Sequence, residues 1–306
     1  MSADPGLTVR AAAKINLYLG VGPVRPDGFH PLATVYQAIG LYDDVTVADA
    51  DRWSVSIEAA PGIAGDQVPL GADNIAVRAG RSLAARHGLD RAAAIAIHKG
   101  IPVAGGLAGG SADAAATLLA LDRLWELDTP EDELLALAGD LGSDVPFALL
   151  GGTASGHGRG ELVEPVADRG SWWWVVVGNE TGLSTPAVYR AFDEHTGTAH
   201  DPVIPAALFA ALAAGEADRL AASLANDLHE PALAVRPDLG RTFAHGRSAG
   251  ALATLLSGSG PTVLLLARDA THARLLAAEL GSLGHERVWV APGPVAGAHQ
   301  LTGLIG

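Results

Sequence analysis

Residues 101–116 read Ile-Pro-Val-Ala-Gly-Gly-Leu-Ala-Gly-Gly-Ser-Ala-Asp-Ala-Ala-Ala, and this stretch limits the fold more than any other. Its four glycines and its serine run straight into an apolar helical pattern carried by Thr117, Leu118, Leu119, Leu121 and Leu124. Glycine lets the backbone curl until several N–H groups point into one hollow. The helix that follows adds its positive end. Such a hollow suits a polyphosphate. A glycine-rich turn ahead of an ordinary helix is the plainer alternative, and glycines alone would favour it.

Three familiar phosphate or nucleotide motifs are excluded. No Gly-Lys pair occurs, so there is no Walker A loop. No three glycines have the dinucleotide spacing. The protein-kinase triplets His-Arg-Asp and Asp-Phe-Gly are missing. What remains is Pro-x-x-x-Gly-Leu-x-x-Gly-Ser-x-x-Ala-Ala, anchored on Pro102, Leu107 and Ser111. This pattern resembles the ATP loop of the GHMP kinases, which phosphorylate small-molecule alcohols. The resemblance implies an α+β protein of two domains with the active site in the cleft between them. Residues 1–165 would form a ribosomal-protein-S5-like α/β domain and residues 166–306 a ferredoxin-like α+β domain. ATP would be the co-substrate, its phosphates held by Pro102, Val103, Ala104, Gly105, Gly106, Leu107, Ala108, Gly109, Gly110, Ser111 and Ala112. A Mg2+ ion bridging those phosphates is expected for the chemistry. Ser111 could touch it, but no clear set of carboxylate ligands is visible. Asp113, one turn into the helix, could serve the metal or only the helix dipole.

Composition narrows the partners. The net charge of −14 repels nucleic acid and anionic membranes. An anionic ligand must therefore be drawn in by a local positive pocket. Cysteine is absent, which removes disulfides, thiolate nucleophiles and cysteine-ligated metals. Met1 to Gly6 has no basic region and no apolar segment behind it, and so does not read as a signal peptide. The apolar run from Trp172 to Val177 is too short to span a bilayer. A cytoplasmic protein is expected, acting as a monomer or weak homodimer. Of the 20 basic residues only Lys14 and Lys99 are lysines. A lysine retained among arginines points to a role for a compact charge, although for Lys99 accident remains open.

The chain reads as strands and helices in alternation. Leu7 to Leu19 alternates like a strand, and Val45–Val47 and Trp53–Ile57 read as further strands of an antiparallel meander. Asp73 or Asn74 can cap a helix ending near Gly88, and Ala92–His98 is a strand entering the glycine loop. The loop's helix ends near Leu127. Thr129-Pro130 should cap the next one, which stops near Gly142. Gly156-His157-Gly158-Arg159-Gly160 reads as a hairpin or linker. A strand from Trp172, helices over about 185–250, a glycine turn between two strands at 252–267, a helix capped by Asp269 and a last strand at Arg287–Ala291 complete the pattern.

Three further motifs carry chemistry. In Ala13-Lys14-Ile15-Asn16-Leu17-Tyr18-Leu19, strand periodicity puts Lys14 and Asn16 on one face. Arg25-Pro26-Asp27-Gly28-Phe29-His30 follows. Together they resemble the start of a GHMP branch whose alcohol is carried on a cytidine diphosphate. In that branch this segment grips the cytosine, so the resemblance places Phe29 and His30 there and Asn16 on the acceptor side. Tyrosine is usual where Phe29 stands, so stacking remains and a hydroxyl contact is lost. Gly142-Ser143-Asp144-Val145-Pro146 offers a carboxylate at the start of a strand or turn. Transfer to an alcohol needs a group that accepts or orients the hydroxyl proton. The resemblance gives that task to Asp144, beside Lys14. Ser257-Gly258-Ser259-Gly260-Pro261 could be a bare hairpin turn. In the superfamily such a turn shapes the substrate end, which adds Ser257, Gly258 and Ser259, while Thr185 and Tyr189 match a segment that supports the cytidine.

Two rival readings stay open: a GHMP kinase acting on homoserine, mevalonate or a sugar, and a non-catalytic nucleotide-binding module. Gly246-Arg247-Ser248-Ala249-Gly250 fits the hydrolase elbow pattern, but its flanks run from helix to strand rather than strand to helix. The 11 histidines show no His-Glu-x-x-His, which argues against a zinc enzyme.

Overall fold

A computed structural model describes residues 6–103, 105–195 and 200–301. In chain order the first half runs β1 (Leu7–Val21), β2 (Leu32–Ala50), β3 (Ser54–Ala59), α1 (Ile75–Arg86), β4 (Ala92–Lys99), α2 (Gly109–Leu124), α3 (Glu131–Leu141), α4 (Val145–Leu150), β5 (Thr153–His157) and β6 (Leu162–Pro165). The second half runs β7 (Trp172–Val177), α5 (Thr185–His195), α6 (Ala206–Ala214), α7 (Ala217–Ala221), β8 (Ala225–Asn226), α8 (His229–Val235), α9 (Leu239–Ser248), β9 (Ala253–Leu256), β10 (Val263–Ala267), α10 (Ala270–Ser282), β11 (Val288–Gly293) and β12 (His299–Gln300).

Two sheets organise these elements. The first has the path β12-β1-β2-β4-β3, with β5 and β6 continuing from β2. The expected meander is corrected here. β3 does not pair with β2; it lies parallel to β4, with α1 as the crossover between them. A parallel pair needs such a connection, whereas a hairpin would have put β3 beside β2. The second sheet is antiparallel in the order β11-β7-β10-β9. Within that half the strands therefore lie 4-1-3-2, the ferredoxin-like order. β8 and β12, both from the second half, add to the first sheet through β1. The strand at 287–291 is thus not the last.

The core explains the alanine content. Ala112, Ala114, Ala115, Ala116 and Ala120 of α2 are buried against the first sheet. Small side chains let the helix approach closely, and Ile15, Leu17, Val35, Ile39 and Leu118 fill the layer between. Asn74 caps α1 by accepting from the Ala76 N–H at 2.8 Å. Thr129 does not cap α3. Its N–H donates to Asp122 and its hydroxyl pairs with His87, so Pro130 takes the cap position without a side-chain bond. The second sheet joins the first through a shared apolar core and a polar cluster. Gln37 Nε2, the Thr153 hydroxyl and Trp172 Nε1 donate to the Asp168 carboxylate, while Trp174 Nε1 donates to Gln37 Oε1. Trp172 and Trp174 thus serve both the core and the fastening. Among the described residues no helix is long and apolar enough to cross a membrane.

Candidate active site

The glycine run becomes a loop between β4 and α2. Its entry is held by Asp43 of β2, whose Oδ1 accepts from the N–H groups of Gly100 and Ile101 at 2.8 and 2.9 Å. Gly106 adopts φ +74° and Ala108 φ +57°. A left-handed alanine costs about 1 kcal/mol, a local strain of the kind found at ligand-binding loops. Leu107 is pulled into the core, and its carbonyl accepts from the Lys14 N–H at 3.1 Å. The Gly106 carbonyl accepts from the Ser257 hydroxyl at 3.1 Å. A side chain on Gly106 would collide with the Ser257 carbonyl, so the two turns touch only because Gly106 is bare. α2 then begins at Gly109 with its N-terminal end opening on a cleft of about 980 Å³.

β1 supplies the other wall. Register shifts lie between Ala12 and Ala13 and between Asn16 and Tyr18, on either side of Lys14 and Asn16. Bulges re-aim side chains, and here the two polar groups face the cleft while Ala13, Ile15 and Leu17 face the core. Lys14 Nζ donates to Asn16 Oδ1 at 2.9 Å, Asn16 Nδ2 donates to the Thr34 hydroxyl at 2.8 Å, and that hydroxyl donates to the Tyr18 carbonyl at 2.6 Å. The chain of bonds fixes the lysine's direction. Asp144 Oδ2 lies 3.5 Å from Lys14 Nζ. Asp144 lies in a turn, one of the two settings expected, and no strand follows: the turn leads into the short helix α4, of which Asp144 is the N-cap. Tyr36 lies beneath the pair, its ring 5.5 Å from Lys14 Nζ and stacked on Phe147. Burial pushes the Tyr36 phenol well above its usual range, and the charge and hydrogen bond of Asp144 push it further. Tyr36 thus remains a phenol and a donor toward Asp144.

At the far end of the cleft His30 is buried and Phe29 exposed. His30 Nδ1 donates to the Gly22 carbonyl at 2.8 Å, and the ring lies 5.1 Å from that of Tyr189. Burial, then the Asp144 charge, raises Tyr189 to about 12. The Thr185 and Ser259 hydroxyls share a hydrogen bond of 2.8 Å, which joins α5 to the late glycine turn. Asn226 Nδ2 steadies that turn by donating to the carbonyls of Leu256 and Gly258.

Most of the residues singled out from sequence therefore meet in one cleft: Lys14, Asn16, Phe29, His30, Pro102, Val103, Gly105, Gly106, Ala108, Gly109, Gly110, Asp144, Thr185, Tyr189, Gly258 and Ser259 line it. Leu107, Ser111, Ala112 and Ser257 do not. Leu107, Ala112 and Ser257 are fully buried and shape the loop from behind. Ala104 lies outside the described residues. Sequence reading missed Asp43, Tyr36, Arg159 and Arg190, of which the last three line the cleft. An acid inside the apolar pattern of β2 was the one available signal for Asp43; nothing local marks Tyr36.

Lys99 is no accident. Its Nζ donates to Asp43 at 2.5 Å and to Asp113 at 2.7 Å, with all three side chains buried. Asp113 thus lies beyond the first turn of α2, where the dipole is felt, and gives one oxygen to Lys99. Burial lifts its carboxyl well above the usual range and Asp43 adds to this, outweighing the pull of Lys99. Its Oδ1 has no hydrogen-bond partner. Among the described residues no three His, Cys, Asp or Glu side chains gather to hold a metal ion.

The family described as GHMP kinases N terminal domain matches residues 74–152, and that described as GHMP kinases C terminal matches residues 208–286. The chain is 60% identical over 295 residues to the 4-diphosphocytidyl-2-C-methyl-D-erythritol kinase of Nocardioides sp., covering 96% of this chain and 99% of that one. It is 49% identical over 305 residues to the kinase of the same name from Thermobifida fusca, covering 97% and 99%. It superimposes on a crystal structure of 4-(cytidine 5'-diphospho)-2C-methyl-D-erythritol kinase with a TM-score of 0.77 and 34% identity, covering 94% of this chain and 100% of that one. A homoserine kinase from Cytophaga hutchinsonii shares the fold at a TM-score of 0.72 and 17% identity.

Proposed function

The chain belongs to the GHMP kinases, and on that premise we propose that it transfers the γ-phosphoryl group of ATP to the 2-hydroxyl of 4-diphosphocytidyl-2-C-methyl-D-erythritol. The products are ADP and the 2-phosphate, a step of the non-mevalonate route to isoprenoids. The observation that carries the reading is the 3.5 Å approach of Lys14 to Asp144 in the same cleft as the glycine loop and the Phe29–His30 segment. Residues 1–165 hold the nucleotide in this reading, and residues 166–306 close the acceptor side. In this reading the protein acts as a monomer or a weak homodimer in the cytoplasm, where ATP is available.

Each residue has a task that its surroundings allow. The bare N–H groups around Gly106, Ala108, Gly109 and Gly110 and the positive end of α2 receive the phosphates. Val68, Pro69, Ile75 and Val103 give an apolar end suited to the adenine. Asp144 accepts the proton of the acceptor hydroxyl, and the Tyr36 phenol, a donor at its side, keeps the carboxylate turned toward the cleft. Lys14, aimed by Asn16, steers the hydroxyl and stabilises charge developing on the transferred group. Mg2+ supplies charge neutralisation on the ATP phosphates. The chain gives it few ligands, since Ser111 does not line the cleft and Asp113, which does, has one oxygen on Lys99 and only Oδ1 unpaired. An ion held mainly by phosphate oxygens and water fits that scarcity.

The test is ADP release with 4-diphosphocytidyl-2-C-methyl-D-erythritol, homoserine and mevalonate offered side by side. Turnover of the cytidylated alcohol alone is expected. Turnover of homoserine or mevalonate in its place, or of none of the three, overturns the assignment.

A further inference from the structure

The hairpin at residues 157–162 reads from sequence as a connection, yet it brings one arginine to the cleft. Gly158 at φ +72° and Gly160 at φ +107° make the turn tight, and Arg159 between them lines the cleft wall. Its guanidinium carbon lies 5.3 Å from the centre of the Phe29 ring. On its other side, the backbone at Gly160 touches the Tyr36 hydroxyl so closely that a Cβ there would collide with it. Tyr36 in turn partners Asp144. Arg159 therefore stands over the stretch between the base end of the cleft, at Phe29, and the acceptor end, at Asp144.

The two lysines of the cleft are committed to carboxylates, which leaves Arg159 and Arg190. Lys14 faces Asp144, and Lys99 is closed between two carboxylates. Arg190 is carried by α5, and of the two arginines Arg159 is the one that rests on the Phe29 ring. Among the described residues the one carboxylate paired with Arg159 is Glu161, with Nε 3.6 Å from Oε1, and the arginine side chain is 37% exposed. A guanidinium with unused N–H groups is shaped for paired phosphate oxygens. Resting on the reading that the substrate is a cytidine diphosphate carrying an alcohol, we propose that Arg159 grips the diphosphate that joins the two ends. It thereby makes the enzyme select a diphosphate-linked alcohol over a free one. The contact with Phe29 holds the guanidinium over the base wall until the diphosphate displaces Glu161 from it.

The experiment compares wild type with Arg159→Gln, Arg159→Lys and Phe29→Leu, titrating each with CDP and with cytidine and measuring KM and kcat for the cytidylated substrate. Arg159→Gln is expected to weaken CDP roughly ten- to a hundredfold, and to raise KM for the substrate likewise, by more than it lowers kcat. Cytidine binding and KM for ATP should hold. Arg159→Lys should recover part of the loss, and Phe29→Leu should weaken CDP and cytidine together. Equal losses of CDP and cytidine in Arg159→Gln would place the guanidinium on the base and overturn the proposal, as would unchanged CDP binding. If wild type neither binds CDP nor turns over the cytidylated alcohol, the functional reading falls and takes this inference with it.

Discussion

The two lysines of this chain are both buried, but their carboxylate partners sit in different surroundings. Lys99 is sealed beneath the phosphate loop between Asp43 and Asp113, whose side chains are 0% and 3% exposed. Lys14 meets a single carboxylate, Asp144, which is 29% exposed and faces the cleft at 3.5 Å. The first site joins β2, β4 and α2 at the root of the loop. The second joins β1 and α4 across an open space. Coulomb attraction and the cost of desolvation act in both, but their balance differs. A sealed cluster gains its attraction only after a large desolvation cost, and breaking it strands a charge. A pair that water reaches contributes little to stability and stays free to act on a ligand. Structure and chemistry are thus divided between the only two lysines.

The largest effect should come from the open site. Asp144→Asn keeps the shape and removes the proton acceptor, so ADP release should fall about a hundred- to ten-thousandfold, with ATP affinity nearly unchanged in a direct titration. Persistent turnover would remove Asp144 from its role and make the open pair structural. Next, Lys99→Met strands two buried carboxylates. Denaturant unfolding should show a loss of about 3–5 kcal/mol, and a loss under 1 kcal/mol would erase the contrast.

A third expectation concerns pH. The Asp113 carboxyl is raised by burial and by Asp43, so the folded protein binds a proton that the unfolded chain has released. This group therefore adds stability in acid, and the addition disappears as pH rises through its folded value. Wild type should gain on Asp113→Asn as pH falls from that value toward the ordinary carboxylate range, by at most about 1.4 kcal/mol per pH unit. Parallel stability profiles would count against the raised carboxyl. The smallest effect is the stability change of Lys14→Met. It should stay within about 1 kcal/mol in the same unfolding assay while turnover collapses, because water can solvate the partner left behind.

Legibility followed the range of the forces involved. The glycine loop, the cap at Asn74 and the shared face of Lys14 and Asn16 were readable because each depends on residues a few positions apart. The cluster at Lys99 was only half readable. The lysine stood out as a rarity, but Asp43 reaches it through a strand pairing that local pattern does not reveal. The misplacement of β3 has the same cause, since its strand propensity says nothing about which neighbour it takes. Arg159 lay in a segment whose glycines announced a turn and concealed its destination.

By itself the sequence determined a phosphate-binding curl ahead of a helix, a polar face on the first strand and a carboxylate after the third helix, all set by backbone sterics and side-chain period. Only the tertiary structure decided that residue 14 meets residue 144, that Asp144 begins a helix, and that one lysine pairs with two buried carboxylates while the other pairs with one that water reaches. Distances between remote residues come from how the alanine-rich helix settles on the first sheet and how the second sheet is fastened to it. That packing is a property of all the buried surfaces together, and no short stretch of the chain contains it.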